Sequence, residues 1–128
     1  MNNITLEEYK LAYDKIKPYI KNTKLKNFKN NIYLKKESNQ ISGSFKWSGV
    51  LHSIIVIFDN LIIHKKSPFH IVTQSTGNHG IATLKAINMM IEIYKKKYPK
   101  LKKLFDNIIA GVFTNKLILK NKLDKMYI

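Results

Sequence analysis

Gly43-Ser44-Phe45-Lys46 is the stretch whose reading decides the fold. It follows an extended apolar run at Ile32-Tyr33-Leu34 and opens a long apolar segment that begins near Trp47. That order sets one lysine at a strand-to-helix junction, unlike the solvated lysines elsewhere in the chain. A second stretch repeats the arrangement. Ser75-Thr76-Gly77-Asn78-His79-Gly80 lies between a strand-like run, Phe69 to Thr73, and a helical one, Ile81 to Ile91. Two polar loops at equivalent corners of an α/β layout predict one shared site.

Outward from these loops, Thr5-Leu6-Glu7-Glu8 is a capping box that opens a helix. Leu6, Tyr9, Ala12, Tyr13, Ile16 and Ile20 follow at three- and four-residue spacing, an amphipathic face with a bend expected near Pro18. Residues 21–31 are rich in lysine and asparagine without periodicity and read as a surface loop. Residues 32–37 read as a short strand and 44–63 as the second helix. Pro68 then breaks the pattern. Ile81, Leu84, Ile87 and Ile91 predict a third helix running toward Tyr98. Beyond Pro99, Ile108 to Thr114 reads as a strand and Leu117 to Met126 as a helix. Strands alternating with helices predict a parallel-sheet α/β architecture.

Composition bounds what the site can be. A chain of 128 residues, 45% hydrophobic, folds around a core and holds one domain at most. The formal charge of +15 raises nucleic acid as a partner, yet every basic residue is lysine. Without arginine's planar fork, specific base reading is disfavoured. The phenylalanines and tyrosines also fall at core spacing, offering no exposed stacking platform. Most of the lysines read as a solvated surface. With no cysteine there is no disulfide, thiolate nucleophile or cysteine metal site, and the histidines form no cluster, so no metal is expected. The N-terminus lacks a secretory pattern, and a cytoplasmic location is expected. The run from Ile54 to Ile63 carries Asp59 and Asn60 and is too short to span a bilayer, so no membrane role is expected.

The chemistry of the two loops follows from residue type. A lysine amine becomes reactive when burial among residues such as Phe45 and Trp47 favours its neutral form, and it can then form a Schiff base with an aldehyde. The alternative is an ordinary helical lysine with its head in water. In Ser75 to Gly80, glycines let backbone amides turn inward ahead of a helix start, a place for a carboxylate or phosphate. The alternative there is a polar turn that caps the helix.

Tyr33-Leu34-Lys35-Lys36-Glu37, Gln40, Ser42-Gly43-Ser44-Phe45-Lys46, Gly49, and Thr73 through Gly80 together resemble the fold-type II pyridoxal-phosphate enzymes, specifically serine racemase and threonine dehydratase. The resemblance covers roughly Thr5 to Asn88. It extends more weakly to Asn115 to Met126, after a lysine-rich insertion near 92–107. It implies a partial α/β architecture of the tryptophan synthase β-like kind, with parallel strands and flanking helices. Residues 1–68 would belong to the large cofactor domain, and residues 69–128 would begin the small substrate domain.

The resemblance implies pyridoxal 5'-phosphate as cofactor, carried covalently by Lys46, with Phe45 and Asn78 also on the cofactor. Ser75, Thr76, Gly77, Asn78 and His79 would bind the substrate, L-serine or L-threonine. Lys46 and Thr76 would be the catalytic pair. It further implies a racemase or ammonia-lyase, and homo-oligomers among complete members. Thr23-Lys24-Leu25 stands where the family has Thr-Pro-Leu, and Ser48 where it has an arginine. Both losses suggest relaxed constraint. The family's glycine-rich phosphate cradle has no counterpart here. The chain is therefore expected to be the N-terminal portion of such an enzyme, inactive alone, the other reading being a non-catalytic remnant that serves as a binding or interaction module.

Overall fold

The computed structural model describes residues 3–66, 68–114 and 124. The capping box opens α1 (Leu6–Ile16) as the sequence predicts. Thr5 Oγ1 accepts from the Glu8 amide at 3.2 Å, and Glu8 Oε2 accepts from the Thr5 amide at 2.8 Å. Pro18 sits inside a short 3-10 turn, Lys17–Tyr19, that ends the helix instead of bending it. The expected apolar face is mostly uncovered. Ile16 is buried, whereas Leu6 is 69% and Tyr9 66% exposed. Periodicity shows that a face wants cover, but not whether anything supplies it.

Residues 21–31 correct the expectation of a plain loop. Leu25–Lys29 forms β1, which pairs antiparallel with β2 (Ile32–Lys35), Leu25 opposite Lys35 and Lys26 opposite Leu34. Asn30 and Asn31 make the two-residue turn with φ of 42° and 64°. Asparagine tolerates this left-handed backbone, and two such residues in succession match the twist of a hairpin. The strand at residues 32–35 therefore pairs with its own neighbour and lies outside the parallel sheet.

α2 (Lys46–His64) starts at the lysine itself and stops where Lys65 turns left-handed at φ 51°. It spans 19 residues at a mean hydropathy of 1.4, long and apolar enough by composition to cross a bilayer. The run read from the sequence is Ile54 to Ile63 alone, and the helix also takes in the segment from Lys46 to Ser53. Trp47, Leu51, Ile54, Phe58 and Leu61 are buried in the core.

A βαβ unit follows. β3 (Phe69–Gln74) and β4 (Ile108–Phe113) pair in parallel, Phe69 opposite Ile108 through Gln74 opposite Phe113. Parallel neighbours need a crossover, which α3 (Asn78–Lys97) and the short α4 (Lys102–Asp106) provide. The segment expected as a lysine-rich insertion forms the end of α3, a 3-10 turn and α4. The C-terminal helix expected over 117–126 falls, Asp124 apart, outside the described residues.

α2 and α3 pack on each other, and the core between them is aromatic at one end. Phe58 stacks on Phe105 with ring centroids 5.8 Å apart and meets the edge of Tyr94 at 5.2 Å. Ile87, Met90, Ala82 and Ala86 fill the middle from α3, and Ile71 contributes from β3. Burying a side chain of the size of Ile87, Met90 or Ile71 is worth about 1.5–3 kcal/mol of apolar transfer, and each alanine methyl less. The helices are thereby held with the N-terminal ends that carry Lys46 and His79 in place.

Candidate functional site

Lys46 is held by what lies on either side of it. Trp47 is fully buried, and its Nε1 donates to the Tyr19 carbonyl at 3.0 Å, which fixes the first turn of α2 against the chain leading out of α1. Upstream, Gly43 takes φ 75°, a conformation that suits glycine, and its amide donates to the Gln40 carbonyl at 2.8 Å. Ser42 and Ser44 are buried on the same turn with their hydroxyls 3.3 Å apart.

The expected burial of Lys46 is not observed. Trp47 points into the core, Phe45 is 65% exposed, and Lys46 is exposed with Nζ 4.7 Å from the centroid of the Phe45 ring. The reason is helical geometry: neighbours along a helix turn about 100° apart, so residues adjacent in sequence do not share an environment. Phe45 instead serves as a π face under the ammonium. A cation in the first turn of a helix opposes the macrodipole at a cost of about 0.3–1 kcal/mol. Local rules of this kind are broken most often at functional positions.

The second loop ends in α3. Ser75 Oγ accepts from the amides of Gly77 at 3.1 Å and Gly80 at 2.9 Å. Its hydroxyl is thus committed to capping the helix. The Ser75 amide in turn donates to the Phe113 carbonyl at 2.9 Å, which ties the loop to the end of β4.

The two loops do meet. Lys46 and His79 line one cavity of about 560 Å³, together with Phe45 just before α2, Gly49 from α2, Val72 and Thr73 from β3, and Thr83 one turn along α3. Val50, Ile54, Ile57 and Ile71 make its apolar wall. The lining contains Lys46 and His79 but no carboxylate, so it favours an anionic ligand with an apolar body. Ser75, Thr76 and Gly77, in the loop, and Asn78, the first residue of α3, lie outside this lining. Thr76 and Asn78 are exposed.

Sequence reasoning missed Thr83 and Ser53, which add hydroxyls to the cavity. Their helical spacing from His79 and Lys46 was the available signal. Thr83 Oγ1 donates to the His79 carbonyl at 2.9 Å, and Ser53 Oγ donates to the Gly49 carbonyl at 3.1 Å. A Cβ built on Gly49 meets nothing within 4 Å, so this glycine leaves open space one turn from Lys46.

Thr23, read as part of a loosened motif, is buried and tightly bound. It donates to Glu37 and accepts from Lys35 Nζ at 2.8 Å, while Glu37 also accepts from Gln40 at 3.1 Å. Hydrogen bonding by Thr23 first, and by Gln40 and Lys35 after it, holds the Glu37 carboxyl below its ordinary value. Ser48 borders a different cavity from the one at Lys46.

No family model and no curated protein matches the chain. Among solved structures the chain, with its short parallel sheet and flanking helices, is similar to a pyridoxal 5'-phosphate-dependent enzyme. The structure in question is that of a pyridoxal 5'-phosphate-dependent aspartate racemase, with a TM-score of 0.68 and 26% sequence identity. The match covers 98% of this chain and 36% of that one, so the chain spans about a third of the enzyme's length.

Proposed function

We propose that the chain supplies the lysine-bearing part of a pyridoxal-phosphate-dependent amino-acid racemase site, with L-serine or L-threonine as substrate and elimination of ammonia as the companion reaction. The observation that carries the reading is the convergence of Lys46 and His79, 33 positions apart by number, on one carboxylate-free cavity. The racemase likeness at 26% identity supports the isomerase side of the reading.

The residues present fit the amine and ring ends of the cofactor. Lys46 would hold it through its amine, and the aliphatic wall of Val50, Ile54 and Ile71 suits a planar ring; Asn78, outside the lining at the start of α3, would be the polar contact to it on the family resemblance alone. When bound, the cofactor supplies an electron sink for negative charge at the substrate's Cα. The chain's own residues supply the rest. The amides of Asn78 and His79 and the His79 side chain bind the substrate carboxylate, as the positive end of a helix favours an anion, while the Gly80 and Ile81 amides are taken by Ser75 and Gly77. Lys46 moves the proton on one face of Cα, and the Thr76 hydroxyl holds it on the other, since racemisation needs an acid-base group on each face. Ser75 keeps the loop in place through its bonds to Gly77 and Gly80.

Among the described residues no glycine-rich loop borders the cavity, and Lys46 stays open to water. The 128 residues alone should therefore capture the cofactor without turning substrate over, and pyruvate and D-serine should form at the rate given by free cofactor. The test is reduction with borohydride after incubation with pyridoxal phosphate, followed by peptide mapping. The dominant pyridoxyl group is expected on Lys46 and is lost in Lys46→Ala. Labelling spread evenly over the lysines, or full yield in the variant, sinks the assignment.

A further inference from the structure

A second site lies apart from the Lys46 cavity. Two cavities of about 460 and 720 Å³ share Lys21, Asn22 and Gln40 in their linings, and so adjoin along one face as the two halves of a cleft. Gln40 builds the seam. Buried, it accepts from the Lys21 amide at 3.0 Å and donates to the Lys21 carbonyl at 2.8 Å. Neither Lys46 nor His79 contributes to it.

The charge in this cleft is uncompensated. Lys17, Lys21 and Lys35 line one end, and Lys24, Lys26 and Lys36 the other. Glu37 is the one carboxylate in the lining, and it is turned onto Thr23, Gln40 and Lys35. Six lysines against one carboxylate leave five positive charges, and Lys17, Lys21, Lys24, Lys26 and Lys36 have no ion-pair partner among the described residues. Like charges gathered in one cleft repel each other, and Glu37 offsets only one of the six. An anionic ligand would.

The cleft also has an aromatic wall, which the sequence did not reveal. Tyr9 and Tyr13, spaced to lie on one face of α1, border the cavity and remain 66% and 41% exposed. The expectation that the tyrosines would be consumed in the core fails here. Exposed rings beside a lysine groove are the two parts of a surface for single-stranded nucleic acid: bases stack on the rings while the backbone phosphates follow the cations. Lysine, unlike arginine, offers a point charge and no fork for reading a base edge.

We propose that this cleft binds single-stranded nucleic acid without sequence preference, with bases stacked on Tyr9 and Tyr13 and phosphates running along Lys17, Lys21, Lys24, Lys26 and Lys36. The site is independent of the cofactor reading. Borohydride labelling of Lys46 should be unchanged in every cleft variant below, so either proposal can fail alone.

The test is fluorescence anisotropy of labelled 20-nucleotide oligo-dT and oligo-rU with the 128-residue protein across a potassium chloride series. Two variants of equal charge are compared, one with Lys17, Lys21, Lys24, Lys26 and Lys36 changed to Gln, the other with Lys96, Lys97, Lys100, Lys102 and Lys103 changed to Gln. The cleft variant should lose at least tenfold in affinity, and its log–log salt slope should flatten by about 0.7 per lysine removed. The second variant should stay within threefold. Changing Tyr9 and Tyr13 together to Leu should weaken binding at least fivefold without changing the slope, and changing both to Phe should restore it. Equal loss in the two lysine variants would mean diffuse attraction and overturn the site. So would heparin competing as well as the oligonucleotide while the Leu variant binds normally, because the ligand would then be any polyanion.

Discussion

Tyr94→Phe removes one hydroxyl from the core and tests what holds α2 to α3. Tyr94 is 6% exposed, and its Oη donates to Asp59 Oδ1 at 2.7 Å. The other Asp59 oxygen pairs with Lys15 at 3.1 Å, so a single carboxylate joins α1, α2 and α3. Phenylalanine keeps the ring and its contacts with Phe58 at 5.2 Å and Phe105 at 5.7 Å. Only the bond is lost. A hydrogen bond to a charged group contributes about 1.5–3 kcal/mol. Asp59 is 41% exposed and can recruit water, which sets the expected loss at the lower end, about 1.5 kcal/mol.

Urea unfolding followed by the fluorescence of Trp47, the chain's one tryptophan, would measure this as a lower midpoint at unchanged slope. The pH dependence gives a second signature. Burial first, and the bond to Asp59 second, raise the Tyr94 pKa above its ordinary 10.0. The folded state therefore holds this proton more tightly than the unfolded state. The resulting stability is fully present below pH 10 and fades as pH rises further. The gap between wild type and Tyr94→Phe should narrow from pH 10 upward. A difference under about 0.5 kcal/mol at neutral pH, or a gap that stays constant to pH 11, would refute the reasoning.

Gly49→Ala should raise stability by up to about 1 kcal/mol, because alanine is the better helix former and the added methyl meets nothing within 4 Å. The same denaturation assay reads it, and a loss of stability would show that the space is filled. Asn31→Val should destabilise the hairpin, as a β-branched residue resists the φ of 64° found there, while Asn31→Gly should be neutral or stabilising; amide exchange across β1 and β2 distinguishes them. The hairpin should also loosen in acid. The Glu37 carboxyl is held below its ordinary value of 4.5, so its contribution is complete above that pH and is lost as pH falls through the lowered value. Thr23→Val should remove most of that acid dependence, and amide exchange in β2 at successive pH values checks it.

The sequence by itself determined the local elements whose signals are carried by neighbouring residues. The Thr5–Glu8 box, the strands at Phe69 and Ile108, and the long apolar helices after Lys46 and Asn78 all rest on short-range hydrogen bonding and on the 3.6-residue period. It also set Lys46 and His79 on two loops of the same strand-to-helix type, at equivalent corners of such a layout, and both residues line one cavity. The hairpin at Asn30-Asn31 was equally local, and its turn residues were the signal left unread.

What the tertiary structure decided was exposure. Lys46 and Trp47 are adjacent, yet one faces water and the other the core, since α2 presents only one side to α3. Tyr9 and Tyr94 share a residue type and fall at comparable apolar positions on their helices. Tyr94 is buried against Phe58 and Phe105, and Tyr9 stands over a cleft of lysines. Periodicity fixes which residues share a face, but the cover on that face comes from residues distant in sequence, and no local pattern encodes their arrival.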